Sequence, residues 1–249
     1  MAKFGMQIQQ GLSFSPLLLR IPEAEAVFWP GCALMKLDPE ILEKTAEVLR
    51  REEPDLKIAA GCCGQPTMYL LPEKWERRQK QLAQLLRKRG VKRIYTACPN
   101  CTLQMQGLAE VIPIWRPLAR NLRKEDLVPA ADSFIWHDPC PIRNDPEQLA
   151  AVRVLMDLAG CDYTEPGKIR CCGNVRMLRS TDPQKRAAIR RRRLSELDET
   201  RTIASCCEGC LDAFRTEGRD TCHLLEILFG KSKKRSWGNR LRITKKAPL

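Results

Sequence analysis

The sequence predicts an α/β protein of two tandem domains, each a parallel sheet with helices packed outside it. Three observations carry this. Short apolar runs alternate with longer amphipathic ones, as β-α-β-α units do. The alternation occurs twice along the chain, and a set of cysteines repeats with it: Cys32, Cys62, Cys63, Cys98 and Cys101 recur as Cys140, Cys171, Cys172, Cys207 and Cys210, at an offset of 108 residues for the first and 109 for the other four. Two vicinal Cys-Cys-Gly triplets and two C-x-x-C pairs in matched order form an internal repeat.

The 249 residues give room for two domains of about a hundred residues, each with its own core. The first half opens with AVFW, a strand running into the loop that carries Cys32. Asp38 and Pro39 then supply the N-cap and first residue of a helix to about Arg51. The run LKIAA delivers Cys62 and Cys63, a helix from Glu73 to Arg89 ends at Gly90, and VKRIYTA is a third strand leading to Cys98 and Cys101. The second half follows suit, with SFIW before Cys140 and a helix from Pro146 to Ala159. KIR reads as the strand before Cys171 and Cys172, Pro183 opens a helix to about Leu197, TIAS precedes Cys207 and Cys210, and TCHLLEILF reads as a closing helix. The domains are placed at 26–125 and 130–229, after an extension over 1–25 and before a basic, irregular tail over 230–249. The polar, proline-containing run 121–132 serves as the boundary.

Composition narrows the function. With 43% hydrophobic and 29% charged residues the chain is neither disordered nor fibrous. The apolar stretch near its start is interrupted by Gln9, Gln10, Ser13, Ser15 and Pro16, unlike a secretory signal, and no run reaches the roughly 18 to 20 apolar residues of a membrane span. A cytoplasmic location is expected. The net charge of +13 favours an acidic partner, an anionic membrane face or nucleic acid. Aromatic residues at 6% supply too few stacking platforms for the last of these, and Arg190 to Arg193 read as a solvated helix face. In the tail, Trp237, Leu241 and Ile243 read as apolar insertions among basic residues, a pattern suited to peripheral contact with anionic lipid on the inner face of the membrane or with an acidic partner.

Thirteen cysteines, an odd number, in a mid-sized chain of this kind point to metal ligation or redox chemistry rather than a disulfide framework. Each repeated group follows a predicted strand, which places it at the carboxyl edge of an open sheet, where ligands bind. Five thiols per half exceed what tetrahedral zinc requires, whereas thiolates alone are the usual ligands of an iron–sulfur cluster. Gly31, Gly64 and Gly173 would let backbone approach a bulky inorganic group. Cys161, Cys206 and Cys222 break the repeat and read as small buried hydrophobes. His137, three residues before Cys140, is the candidate catalytic proton donor to a departing thiolate. His223 reads as a packing or capping residue, and Arg143, Asn144 and Arg176 could bind an anionic substrate.

The motifs WPGC (Cys32), CCGQP (Cys62, Cys63), CPNC (Cys98, Cys101), HDPC (Cys140), CCGN (Cys171, Cys172) and CEGC (Cys207, Cys210) resemble the cysteine-rich CCG domain family, over residues 26 to 229. This is the family of the heterodisulfide reductase B subunit and of subunits of glycolate, lactate and succinate oxidation systems. The resemblance implies Rossmann-like domains related by a pseudo-twofold axis, with all ten cysteines as ligands of two facing noncubane 4Fe–4S clusters that split a disulfide. The chain lacks the C-x-x-C-x-x-C-x-x-x-C-P run of a ferredoxin domain, so electrons are expected from a ferredoxin-type or flavoprotein subunit. The leading expectation is an oxidoreductase subunit that reduces a disulfide. Its alternatives are an electron-transfer subunit between a flavoprotein dehydrogenase and a quinone or membrane partner, and a zinc-stabilised interaction module; zinc in one half alone is the lesser cofactor option.

Overall fold

The structure is a computed structural model and describes residues 7–8, 10–129, 132–174 and 182–246. The chain divides into two compact units: unit 1 runs to Ile114 and takes back the segment from Lys233, and unit 2 is Trp115–Ser232.

Unit 1 is a four-stranded parallel sheet in the order β2-β1-β3-β4, with β1 Ala26–Trp29, β2 Lys57–Ile58, β3 Arg93–Thr96 and β4 Glu110–Pro113. All four residues of β1 are buried, as expected of a parallel strand covered on both faces. The crossovers are α1 (Pro39–Leu49), the short α2 (Thr67–Leu70) with α3 (Trp75–Lys88), and α4 (Pro99–Met105). Because β1 leads out to β2 on one side and β3 lies on the other, the strand order reverses between β1 and β3. That switch point is where open α/β sheets form their binding crevice.

Unit 2 opens with α5 (Trp115–Asn121) and repeats the topology as β6-β5-β7-β8, with β5 Ser133–Trp136, β6 Asp162–Thr164, β7 Thr202–Ser205 and β8 Thr221–His223. Its helices are α6 (Pro146–Leu158), α7 (Pro183–Leu194), α8 (Glu208–Arg215) and α9 (Leu224–Phe229). The α/β class and the tandem repeat expected from the sequence are therefore present. Both units add a fourth strand, β4 and β8, that the sequence pattern does not reveal.

Three details differ from expectation. The strand before Cys171 is Asp162–Thr164 rather than KIR, because the chain enters β6 directly after Gly160 (φ +66°) ends the helix turn, and the Lys168 carbonyl accepts a side-chain hydrogen bond from Arg193 (3.1 Å). TCHLLEILF splits into β8 and α9, with His223 at the helix N-cap, its ring accepting from Leu225 N (3.2 Å) while Glu226 accepts from His223 N (3.1 Å). The basic segment is not irregular: Trp237–Lys246 forms α10, packed on unit 1 beside residues 34–36 and α1. Asp38 anchors it. At the N-cap of α1 this aspartate makes no cap bond of its own, and instead accepts from Lys233 N (2.6 Å) and Asn239 Nδ2 (3.3 Å).

Candidate metal centres

In unit 1 the three loops that leave β1, β2 and β3 carry the five repeated cysteines to one place. Cys32 follows β1, Cys62 and Cys63 follow β2, Cys98 is the N-cap of α4 and Cys101 lies in its first turn. Their thiols form one chain of contacts, Cys32 to Cys62 to Cys63 to Cys101 to Cys98. Unit 2 repeats it member for member: Cys140 to Cys171 to Cys172 to Cys210 to Cys207. All ten are free thiols, and all are buried save the half-buried Cys171. Cys161, expected to be buried, is half-buried, and Cys206 and Cys222 are buried.

The Cys-Cys-Gly motif has a local reason. Gly64 has φ +83°, which turns its N–H back to donate to Cys62 Sγ (3.4 Å). Gly173, at φ +72°, does the same for Cys171. At Gly173 a Cβ would stand 2.5 Å from the Arg186 carbonyl, so conformation and space both demand glycine; at Gly64 the positive φ is the reason, since the nearest atom, Gln79 Nε2 at 2.7 Å, ends a flexible side chain. Gly31 (φ +88°) lets the Cys32 loop approach α4, since a Cβ there would lie 3.1 Å from Cys101 Sγ.

The electrostatics fit a bound cation or cluster. Contact with Cys63 and Cys98, together with burial, holds the Cys101 thiol well above its ordinary range, and Cys210 is raised in the same way by Cys172, Cys207 and burial. Cys62 is raised on balance, its hydrogen bond with Cys32 opposing contact with Cys63 and burial. In unit 2 the proton leaves Cys171 first: hydrogen bonds from Cys140 and Cys172 hold Cys171 far down while raising those two neighbours. Five thiols packed this closely cannot all ionise unless positive charge is placed among them, which is the condition a thiolate-ligated metal meets. Cys172, Cys207 and Cys210 lie inside the apolar core of unit 2 with Ile203, Leu211 and Phe214, so that charge would be felt at low dielectric.

The polar surroundings of the two sites differ. In unit 1, Gln10 places Nε2 3.7 Å from Cys62 Sγ and its Oε1 accepts from Thr67 Oγ1 (3.1 Å), which in turn accepts from Arg78 Nη1 (2.8 Å). In unit 2, His137 is fully buried, and one of its ring nitrogens lies with Cys172 and Cys210 Sγ in a group no wider than 4.8 Å. Its Nδ1 accepts from Arg193 Nε (3.2 Å), which puts the ring proton on Nε2, an atom with no hydrogen-bond partner among the described residues. Burial, aided by the Arg193 charge, lowers its pKa to about 3, so the ring is neutral. Asn174 of the CCGN motif donates to the Gly209 carbonyl and ties two cysteine loops together.

Among the other residues singled out by sequence, Arg143 is exposed and donates to the Cys140 carbonyl (3.1 Å), Asn144 is exposed, and Arg176 lies outside the described residues. The arginine run is not wholly solvated. Arg193 is 1% exposed and bonded to His137, Lys168 O and Glu196, which corrects the reading of this stretch as a surface face. Gln10, Thr67, Arg78 and Arg193 are site neighbours that sequence reasoning misses. The only signal for Arg193 is its place beside Leu194 on a helix opposite a cysteine loop, hidden in a run of four arginines.

Residues 26–106 and 134–215 each match the cysteine-rich domain CCG, and the chain belongs to that family. Among curated proteins no match was found. Similar solved structures include a "putative Asp/Glu racemase" from Yersinia pestis (10% identity, 90% of this chain and 99% of that one, TM-score 0.32). Another is an aspartate racemase homologue from Pyrococcus horikoshii OT3 (13% identity, 89% and 100%, TM-score 0.29). Likeness at this level says nothing about the chemistry of the cysteine sites.

Proposed function

We propose that each unit holds a 4Fe–4S cluster of the noncubane type and that the chain is a redox subunit reducing a disulfide with electrons from a separate ferredoxin-type or flavoprotein subunit. The observation that carries the iron–sulfur part is the duplicated linkage of five thiols, 32-62-63-101-98 and 140-171-172-210-207. Tetrahedral zinc would leave a fifth buried thiol without a role in both units. The disulfide part rests on the resemblance of the paired CCG domains to the heterodisulfide reductase B subunit.

When bound, such clusters supply one-electron chemistry at iron. Disulfide reduction breaks one S–S bond, consumes two electrons and two protons and yields two thiols, so a protein with two one-electron centres matches its stoichiometry. In unit 1 the residues that would hold the cluster are Cys32, Cys62, Cys63, Cys98 and Cys101, and the amides of Gly64 and Gln10 would donate to the Cys62 sulfur. In unit 2 they are Cys140, Cys171, Cys172, Cys207 and Cys210, with Gly173 N–H on Cys171. Neutral His137 keeps a proton on Nε2 inside the unit, oriented by Arg193. Because the ring is fully buried, its role in this reading is to hold that proton beside the cysteine sulfurs rather than to meet substrate at the surface.

The test is a titration of the anaerobically purified, metal-loaded protein with candidate disulfides under an artificial donor. A disulfide that perturbs the cluster spectrum and is consumed at one per two electrons supports the reading. Reversible reduction with no response to any disulfide would make the chain an electron conduit.

A further inference from the structure

We propose that unit 1 docks on an anionic lipid surface through the outer face of α10 together with the N-terminal segment beside it. Residues 233–246 include Lys233, Lys234, Arg235, Arg240, Arg242 and Lys245 and no acidic side chain. The helix built from this stretch has two faces. Asn239, Arg240, Ile243 and Thr244 are buried, so Ile243 belongs to the core of unit 1 and is not available as an insertion. Trp237 and Leu241, one helical turn apart on the same stripe, are 46% and 50% exposed, with Arg242 and Lys245 exposed around them.

A second segment packs against this helix. Arg240 stacks its guanidinium 5.2 Å from the centre of the Trp237 ring and donates from Nη2 to Ser13 Oγ (3.1 Å), which brings the N-terminal segment alongside α10. That segment exposes Leu12, next to Ser13, and Ile8 four residues earlier. Arg240 is fully buried, and neither Nε nor Nη1 has a partner among the described residues. Its charge therefore adds to the positive potential of this side of unit 1 without a carboxylate to cancel it.

Scattered exposed leucines need no explanation, but a tryptophan and aliphatic residues beside a stretch of lysines and arginines, whose acidic contact, Asp38, is taken up by Lys233 N and Asn239, have a specific fit. The ring and the aliphatic side chains suit the headgroup and acyl boundary, and the basic residues suit anionic headgroups. A nucleic-acid backbone would use the charges and leave Leu12, Ile8 and Leu241 idle. None of the ten cysteines belongs to this surface, although Gln10, in the same segment as Leu12, meets Cys62, so variants on α10 test the surface without touching either thiol site.

The experiment is co-sedimentation of the full chain with vesicles of phosphatidylcholine alone and of phosphatidylcholine with phosphatidylglycerol. Binding is expected to the anionic vesicles only, and to weaken about tenfold or more between about 0.05 and 0.5 M salt. The double substitution W237S/L241S, which leaves the charge unchanged, should weaken it by about tenfold, and L12S, at a site outside α10, should weaken it to a lesser degree. K233E/K234E should abolish it, with unaltered circular dichroism as the control for folding. Absence of binding to anionic vesicles overturns the proposal, as does equal binding by wild type, W237S/L241S and L12S. Retention on an acidic polypeptide with no vesicle binding would assign the face to an acidic protein instead and also overturn it.

Discussion

Around Cys62 the first thiol site is lined by Gln10, Thr67 and Arg78, and its vicinal pair is fully buried; in the second site Cys171 is half-buried, and beside Cys172 and Cys210 lies His137 held by Arg193. The linkage of the five thiols is the same in both. Duplication has therefore kept what ligation requires, the loop positions and the two glycines that turn an N–H onto sulfur, while what surrounds the sulfurs has diverged. Hydrogen bonds, charge and solvent access near a cluster set its potential, so two sites of one ligand set need not be electronically equal.

The largest effect should come from breaking one chain of thiols at a time. Cys101→Ser and Cys210→Ser each remove the thiol that joins the first cysteine of the C-x-x-C pair to the other three, and each should lower bound metal by about half, read by elemental analysis. Loss of all metal from either variant would show that the sites load together and break the comparison. Next is Arg193→Met, which strips a buried partner from His137 Nδ1 and from the Lys168 carbonyl. It should cost about 2–4 kcal/mol in denaturant unfolding, and unit 1 should keep its metal. Gln10→Leu is milder: removing a donor from the Cys62 sulfur should lower the potential of the first site and leave the second unmoved, in a redox titration followed by electron paramagnetic resonance. An equal shift in both sites would contradict the assignment of Gln10 to one of them.

The smallest effect separates two aspartates in equivalent places. Asp145 caps α6 through Gln148 N (3.0 Å), whereas Asp38 is turned away from α1 to hold the C-terminal segment. Asp145→Ala should cost about 1 kcal/mol of stability. Asp38→Ala should instead raise amide exchange in α10 with little change in α1, measured by hydrogen–deuterium exchange.

Much of this architecture is legible in the sequence alone. The parallel class, the duplication and the loop position of every repeated cysteine but Cys171 and Cys172 follow from β-branched and apolar runs that lead into a cysteine motif, because strand-then-loop is written locally. β4 and β8 are not legible: Glu110–Pro113 carries a glutamate and a proline, and TCH abuts a helical run, so neither announces a strand. The KIR run misleads because three apolar or basic residues between a glycine and a cysteine pair carry no period. Gln10 and Arg193 are hidden for another reason. Both act across 52 or more residues of sequence, one on Cys62 and one on His137, and no local pattern encodes such a contact. The basic tail reads as irregular because its anchor, Asp38, lies 195 residues away from the amide it accepts from.

Iron, zinc and acid-labile sulfide per chain, measured on anaerobically purified protein, test the central claim most directly. Two five-thiolate iron–sulfur sites predict about 8 iron and about 8 sulfide with no zinc. Zinc without sulfide would contradict the account, because it would leave the thiol linkage structural in both units.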